Sequence, residues 1–300
     1  MIVVPEQFAR SVAADAGAVG RSWIEALPGL VGELLERWSG VPDGPVRHGR
    51  VGLVIPVRRR DRPPAVLKVS LPRPWNIHEP AAFAAWNGAG AVRLYDRDDD
   101  RGAMLLERAT TRTLADIADP ERAVAIQGAL ARRLAVTAPP GFPLLSDVVA
   151  GWADEIRADS ATLGRPLPDH VVDAALATIA ELGPDQPNTL VHGDLHDANV
   201  LAAEREDWLA IDPKVCVGDP AHDAFTVLFS PRFGPLLNSA DPGPSLHRLL
   251  EIYCEAAEVD IERARRRTQA GAVWEALRGR RLGEATAIVG AADRLAASLA

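Results

Sequence analysis

The sequence predicts an α+β fold of two lobes: a small β-rich lobe with a helical extension over residues 1 to 107, and a larger helical lobe over 108 to 300. Three observations carry that expectation. Residues 46 to 107 hold short β-branched runs separated by charged turns. Beyond Glu107, apolar residues recur mostly at helical spacing. The stretch 189 to 212 interrupts those helices with strand-like pieces whose ends are crowded with polar residues. Two such lobes leave a cleft between them, and ligands favour clefts of that kind.

Residues 5 to 39 open the chain as a helix, with Trp23, Leu27, Leu30, Leu34, Leu35 and Trp38 at helical spacing and Pro28-Gly29 marking a break. The runs RVGLVIPVRR and AVLKVS read as strands joined by the turn RRDRPP. HEPAAFAAWNG reads as a short helix, with Glu79 at its start, Pro80 in its first turn and Gly88 near its end. Strands AVRLYD and GAMLLE follow, with an acidic turn between them. The second lobe is read as helices over 113 to 137, 147 to 163, 169 to 182, 220 to 229, 245 to 258 and 260 to 297. Among them lie the strand pieces TLVHGD, NVLAA and DWLAID.

With 300 residues and 47% hydrophobic content, the chain is long enough to bury a real core. Acidic residues outnumber basic ones by 41 to 33, a net charge of −8, which argues against a nucleic-acid partner and favours cationic or neutral small molecules. The basic run RRRDR (58 to 62) is read as a solvated turn, and the seven tryptophans as packing residues. Cys216 and Cys254 follow no metal or disulfide spacing, which fits a reducing, cytoplasmic setting. No window reaches the roughly 18 apolar residues that a spanning helix needs, so no membrane partner is expected.

Chemistry concentrates in His192-Gly193-Asp194-Leu195-His196-Asp197-Ala198-Asn199. Asp194 and Asn199 are five apart, and Asp212 follows thirteen later at the end of an apolar run. The catalytic loop of protein kinases, H-R-D-x-x-x-x-N, has the same interval and is also followed by a magnesium-binding Asp. Phosphoryl transfer needs such a set. One carboxylate accepts the proton of the attacking hydroxyl, while an amide oxygen and a second carboxylate hold hard Mg²⁺ ions.

The stretch LVHGDLHDANVL, with WLAIDPKVCVGDPAHDAF after it, resembles the aminoglycoside phosphotransferase family, and IDPK…GDPAxD is most similar to its streptomycin 6-kinase and hydroxyurea phosphotransferase branch. The resemblance implies a protein-kinase-like fold and transfer of the ATP γ-phosphate to a small-molecule hydroxyl. Streptomycin or a related cationic aminoglycoside is the expected acceptor; hydroxyurea or a small metabolite is the alternative. It implies Asp194 as catalytic base, His192 as a support of the catalytic loop, Asn199 and Asp212 as Mg²⁺ ligands, and Asp223 as a buried anchor. In the first lobe it places Lys68 on the phosphates with Glu79 as its ion-pair partner, and the backbone of Leu106, Glu107 and Ala109 against adenine. The first lobe would thus bind nucleotide, and the second would carry the catalytic loop and the acceptor. HGRVGLV departs from the pattern, since Gly49 and Gly52 do not make G-x-G-x-x-G.

Two rivals belong to other classes. His192, Asp194 and His196, with His222 or His247, could ligate Zn²⁺ in a hydrolase, and the same fold could bind nucleotide without turnover. Lys214 is left open between a phosphate, a substrate and a structural role. Glu255, Glu258, Asp260 and Glu275 are candidates to pair with a cationic acceptor.

Overall fold

A computed structural model describes residues 2–300, which divide into one unit closing at Thr110 and another running from Thr111 to Ala300. Helix α1 (Glu6–Arg37) runs straight through Pro28 and breaks at Gly17, where φ is 58° and ψ −130°. The break expected at Pro28-Gly29 is absent because Leu27, Val31 and Leu34 are fully buried around it. Their packing outweighs the one hydrogen bond a proline removes. The kink falls instead at glycine, the residue that tolerates such a backbone. Gly20, just beyond, has no room for a side chain: a Cβ there would lie 2.5 Å from the Val12 carbonyl oxygen.

Strands β1 (Gly40–Pro42), β2 (Arg47–His48), β3 (Gly52–Arg59), β4 (Ala65–Ser70), β5 (Leu94–Asp98) and β6 (Ala103–Glu107) form one antiparallel sheet in the order β1-β3-β4-β6-β5, with β2 also on β3. Alternation decides what each face carries. Leu53, Ile55, Val57, Ala65, Leu67, Val69, Ala103 and Leu105 join Phe8, Leu27 and Leu34 of α1 in one core. Lys68, in register with Val54 and Met104, therefore points to the other face. Helix α2 (Glu79–Trp86) follows β4 and ends at Asn87, whose φ of 47° stops it one residue before Gly88. Arg59 corrects the reading of RRRDR as wholly solvated: it is buried, with its guanidinium 4.8 Å from the Tyr95 ring centre.

The second unit is built on helices α3 (Pro120–Leu134), α4 (Leu145–Thr162), α5 (Asp169–Leu182), α6 (Asp223–Leu228), α7 (Gly234–Leu237), α8 (Gly243–Ala257), α9 (Ile261–Leu282) and α10 (Thr286–Ser298). The helix expected from 113 begins only at Pro120, because Asp119 caps it by accepting from the amides of Glu121 and Arg122. The single helix expected over 260 to 297 is two, parted at Gly283, whose φ of 69° lets the Gly283 and Glu284 amides close back on the carbonyls of Arg280 and Gly279. Between α5 and α6 lie β7 (Leu190–Val191), β8 (Val200–Ala202), β9 (Trp208–Ala210) and β10 (Cys216–Val217). They form two antiparallel pairs, β7 with β10 and β8 with β9.

Most tryptophans pack as expected, Trp152 stacking on Trp274 at 4.6 Å. Trp75 does not, being 44% exposed. Among the described residues no helix is long and apolar enough to cross a membrane.

Candidate active site

The loop of residues 192–199 leaves β7 and enters β8, and much of its backbone is held by hydrogen bonds. Asp223, at the start of α6 and 1% exposed, accepts from two amides: Gly193 N at 2.7 Å and His192 N at 3.2 Å. Burial pushes its carboxyl up to about 7, against the pull of those two donors. Leu195 is pinned at both ends, its amide donating to Thr226 Oγ1 and its carbonyl accepting from Gln127 Nε2. Asp197 accepts from Ser230 Oγ and Arg232 Nε, while Arg232 also donates to the carbonyls of Leu114 and Ile117. This mostly buried arginine side chain, with three acceptors, stitches the loop to the segment before α3.

Two further features make the loop's shape specific. Gly193 sits at φ 77°, and a Cβ there would lie 2.3 Å from the Lys214 carbonyl oxygen. Only glycine fits. His192 is fully buried; its Nδ1 accepts from the Asp194 amide at 3.2 Å, so Nε2 carries the hydrogen and donates to the Ile211 carbonyl at 3.1 Å. Burial lowers its pKa to about 4, so the ring stays neutral near pH 7 and acts as a spacer between two backbones.

Sequence expectation placed Asp194, Asn199 and Asp212 in one constellation, and the hydrogen bonds connect them. Asn199 Nδ2 donates to the Asp194 carbonyl at 2.9 Å, which leaves its amide oxygen as the group able to ligate. The Ile211 amide donates to the Asn199 carbonyl at 2.9 Å, and Asp212 follows at once. Asp212 is exposed and holds a left-handed backbone, φ 58°, uncommon outside glycine. The Asp194 carboxylate is itself mostly buried, with Lys214 Nζ 2.9 Å from Oδ2 and His196 Nε2 3.8 Å from Oδ1.

In the first unit, Lys68 Nζ lies 2.5 Å from Glu79 Oε1, the lysine side chain 12% and the glutamate 2% exposed. The ion pair joins β4 to the first turn of α2. Leu106 is buried and opposite Val66 on β4; Glu107 closes β6 with its amide on the Arg93 carbonyl; Ala109 lies half-buried beyond the strand. Gly52 is buried at the start of β3, where a Cβ would lie 2.7 Å from Ser70 Oγ.

The zinc reading loses its ligands, since both ring nitrogens of His192 are committed to backbone. Among the described residues no three His, Cys, Asp or Glu side chains are placed to hold a metal ion. His222 is buried against Trp152, and burial first, then Arg267, lowers its pKa to about 3. Of the four carboxylates proposed for a cationic acceptor, Asp260 is spent as the N-cap of α9 and Glu258 pairs with Arg132. Glu255 is exposed on α8. Glu275 on α9 is mostly buried; desolvation raises its pKa, while Arg278 and Lys214 pull it down.

Sequence reading missed Gln127, Thr226 and Arg232, which hold the loop from distant helices and turns. Nothing in a single helix's pattern marks them. Lys214 was visible in the IDPK wording, but its partner was not.

Fold and loop together define a protein-kinase-like phosphotransferase. The choline kinase of Streptococcus pneumoniae superposes with a TM-score of 0.56 at 13% identity, over 91% of this chain and 98% of that one. Residues 37–283 match the aminoglycoside/hydroxyurea antibiotic resistance kinase family, and the chain belongs to it. The streptomycin 6-kinase of Streptomyces glaucescens is 39% identical over 266 residues, 88% of this chain and 86% of the relative. The hydroxyurea phosphotransferase of Kitasatospora aureofaciens is 38% identical over 232 residues, 76% of this chain and 68% of the relative. The chain is a phosphotransferase that acts on a hydroxyl group.

Proposed function

We propose that the protein uses ATP with Mg²⁺ to phosphorylate a hydroxyl of a cationic aminoglycoside, streptomycin first among them, in the cytoplasm. The observation that carries the reading is the Asp194–Asn199–Asp212 array on a rigid loop, in a chain 39% identical to a streptomycin 6-kinase. Asp194 is the base: its carboxylate takes the proton of the attacking hydroxyl. Its position is set by the loop below it, with His192 fixing the Asp194 amide and Asp223 fixing the two residues before it. Asn199 and Asp212 supply oxygen donors of the kind Mg²⁺ takes, which fits the ion. When bound, the ion neutralises phosphate charge. Lys68, held by Glu79, contacts the phosphates, and the backbone of Leu106, Glu107 and Ala109 faces the adenine. Catalysis by these groups is positioning and charge neutralisation.

Glu275, mostly buried on α9 beside Arg278, is the carboxylate of the helical unit assigned to a guanidinium of the acceptor. The two buried free thiols fit a reducing compartment. Hydroxyurea is the second reading, favoured by the 38% identity to a hydroxyurea phosphotransferase. ADP release measured over streptomycin, other aminoglycosides and hydroxyurea, with mass spectrometry of the product, decides between them. ADP release with none of these acceptors would remove the aminoglycoside and hydroxyurea readings together.

A further inference from the structure

We propose that Lys214 is a catalytic residue, whose ammonium contacts the phosphoryl group on its way to the hydroxyl held by Asp194. The inference rests on the phosphotransferase reading above and assigns a residue that the sequence left open between phosphate, substrate and structural roles.

Its backbone cannot move far. The Lys214 amide donates to the His192 carbonyl at 2.9 Å, and its own carbonyl fills the space where a Gly193 side chain would stand. Pro213 before it is buried. The side chain, by contrast, is 51% exposed and ends 2.9 Å from Asp194 Oδ2. A pair so exposed on one side contributes only about 0–1 kcal/mol to folding, so stability gives little reason to set a cation on this carboxylate.

Charge gives a better one. The incoming phosphates meet Asp194 on the loop and Asp212 just after β9, with Asp223 buried beneath the loop, and all three are acidic side chains. A transferred phosphoryl group is itself strongly anionic. Lys214 is the lysine or arginine that the loop's fold brings to Asp194. Geometry agrees. A hydroxyl bound to the carboxylate lies roughly 2.7 Å from it, and the phosphorus approaches that oxygen at about 3–3.5 Å. An ammonium 2.9 Å from the same carboxylate stands within a few ångströms of where the phosphoryl group would approach. A cationic acceptor, by contrast, is repelled by Lys214.

In the step itself, the acceptor oxygen bonds to the γ-phosphorus as the bond to the β,γ-bridging oxygen breaks. ADP leaves with that electron pair, and the hydroxyl proton passes to Asp194. Lys214 makes and breaks no covalent bond; it meets charge that develops on the moving group.

The test compares Lys214→Ala, Lys214→Met and Lys214→Arg with the unaltered protein, using whichever of streptomycin and hydroxyurea the latter phosphorylates. In the Ala and Met variants kcat should fall roughly 10²- to 10³-fold, as on removing one charge-stabilising group. KM for ATP and for the acceptor should stay within threefold, and Arg should recover at least tenfold of the loss. Calorimetry supplies a readout without turnover: Mg·ADP should bind the Ala variant normally, while Mg·ADP with aluminium fluoride, a mimic of the moving phosphoryl, should lose at least thirtyfold in affinity. A kcat within threefold of normal, a loss carried wholly by the acceptor KM, or unchanged aluminium fluoride affinity would each overturn the role of Lys214 alone. Absence of transfer by the unaltered protein to any acceptor would overturn the parent reading and this one with it.

Discussion

Replacing Asp223 by alanine isolates what holds the loop. The carboxylate is 1% exposed and accepts from the His192 amide at 3.2 Å and the Gly193 amide at 2.7 Å. Truncation strands two buried donors at about 1–3 kcal/mol each, hence about 2–6 kcal/mol for the pair. Asp223→Asn keeps one acceptor oxygen and strands one donor, so its cost should be about half. Since a domain's whole stability is about 5–15 kcal/mol, the Ala variant should show a clearly lower urea midpoint with the slope unchanged. Asn should fall between Ala and the parent. In the fraction that stays folded, kcat should drop more than the affinity for Mg·ATP, because the loop that carries Asp194 loses its anchor. An Ala variant within 0.5 kcal/mol of the parent, or Asn as costly as Ala, would refute the reasoning that the two amide bonds are what Asp223 supplies.

Asp194→Asn should bind ATP normally and lose roughly 10²- to 10⁴-fold in transfer; near-normal kcat in a folded variant reassigns the base. Lys68→Ala and Asp212→Ala should each weaken Mg·ATP binding or abolish turnover, and calorimetry that shows unchanged affinity with normal turnover in both removes the assignment. His222 has a folded pKa of about 3 against 6.5 for the free group, so below 6.5 the unfolded chain binds the extra proton. The stability is complete above pH 6.5 and is lost as pH falls toward 3, about 2 kcal/mol of it by pH 5. His222→Gln should remove that share of the pH dependence in urea melts at pH 7.5 and 5, and an unaltered dependence counts against it. If the acceptor is streptomycin held by carboxylates such as Glu275, its KM should rise between 0.1 and 1 M salt more than that of ATP, as the Debye length contracts from about 10 to about 3 Å. A salt-insensitive KM removes the cationic site and leaves the kinase standing.

The chemistry was legible in sequence because phosphoryl transfer sets short intervals along one chain. Asp194, Asn199 and Asp212 sit on a loop and just beyond the strand pair after it, so spacing and the resemblance around them carried the reading. The order of β-rich and helical segments was legible for the same reason, since periodicity is a local property. Breaks in the helices were not: α1 ignores Pro28 because burial of Leu27 and Val31 outweighs it, whereas Gly17 and Gly283 turn the chain where only their backbones can. Contacts across tens of residues were beyond any pattern. Gln127, Thr226 and Arg232 reach the loop from elements 31 to 68 positions away, and Lys214 meets Asp194 only because β10 pairs with β7 and brings the IDPK segment beside the loop. Residue types and their spacing determined which reaction the chain can perform. The tertiary structure decided which side chains hold those residues still and which ammonium meets the Asp194 carboxylate, because hydrogen bonds and ion pairs act over a few ångströms of space regardless of separation along the chain.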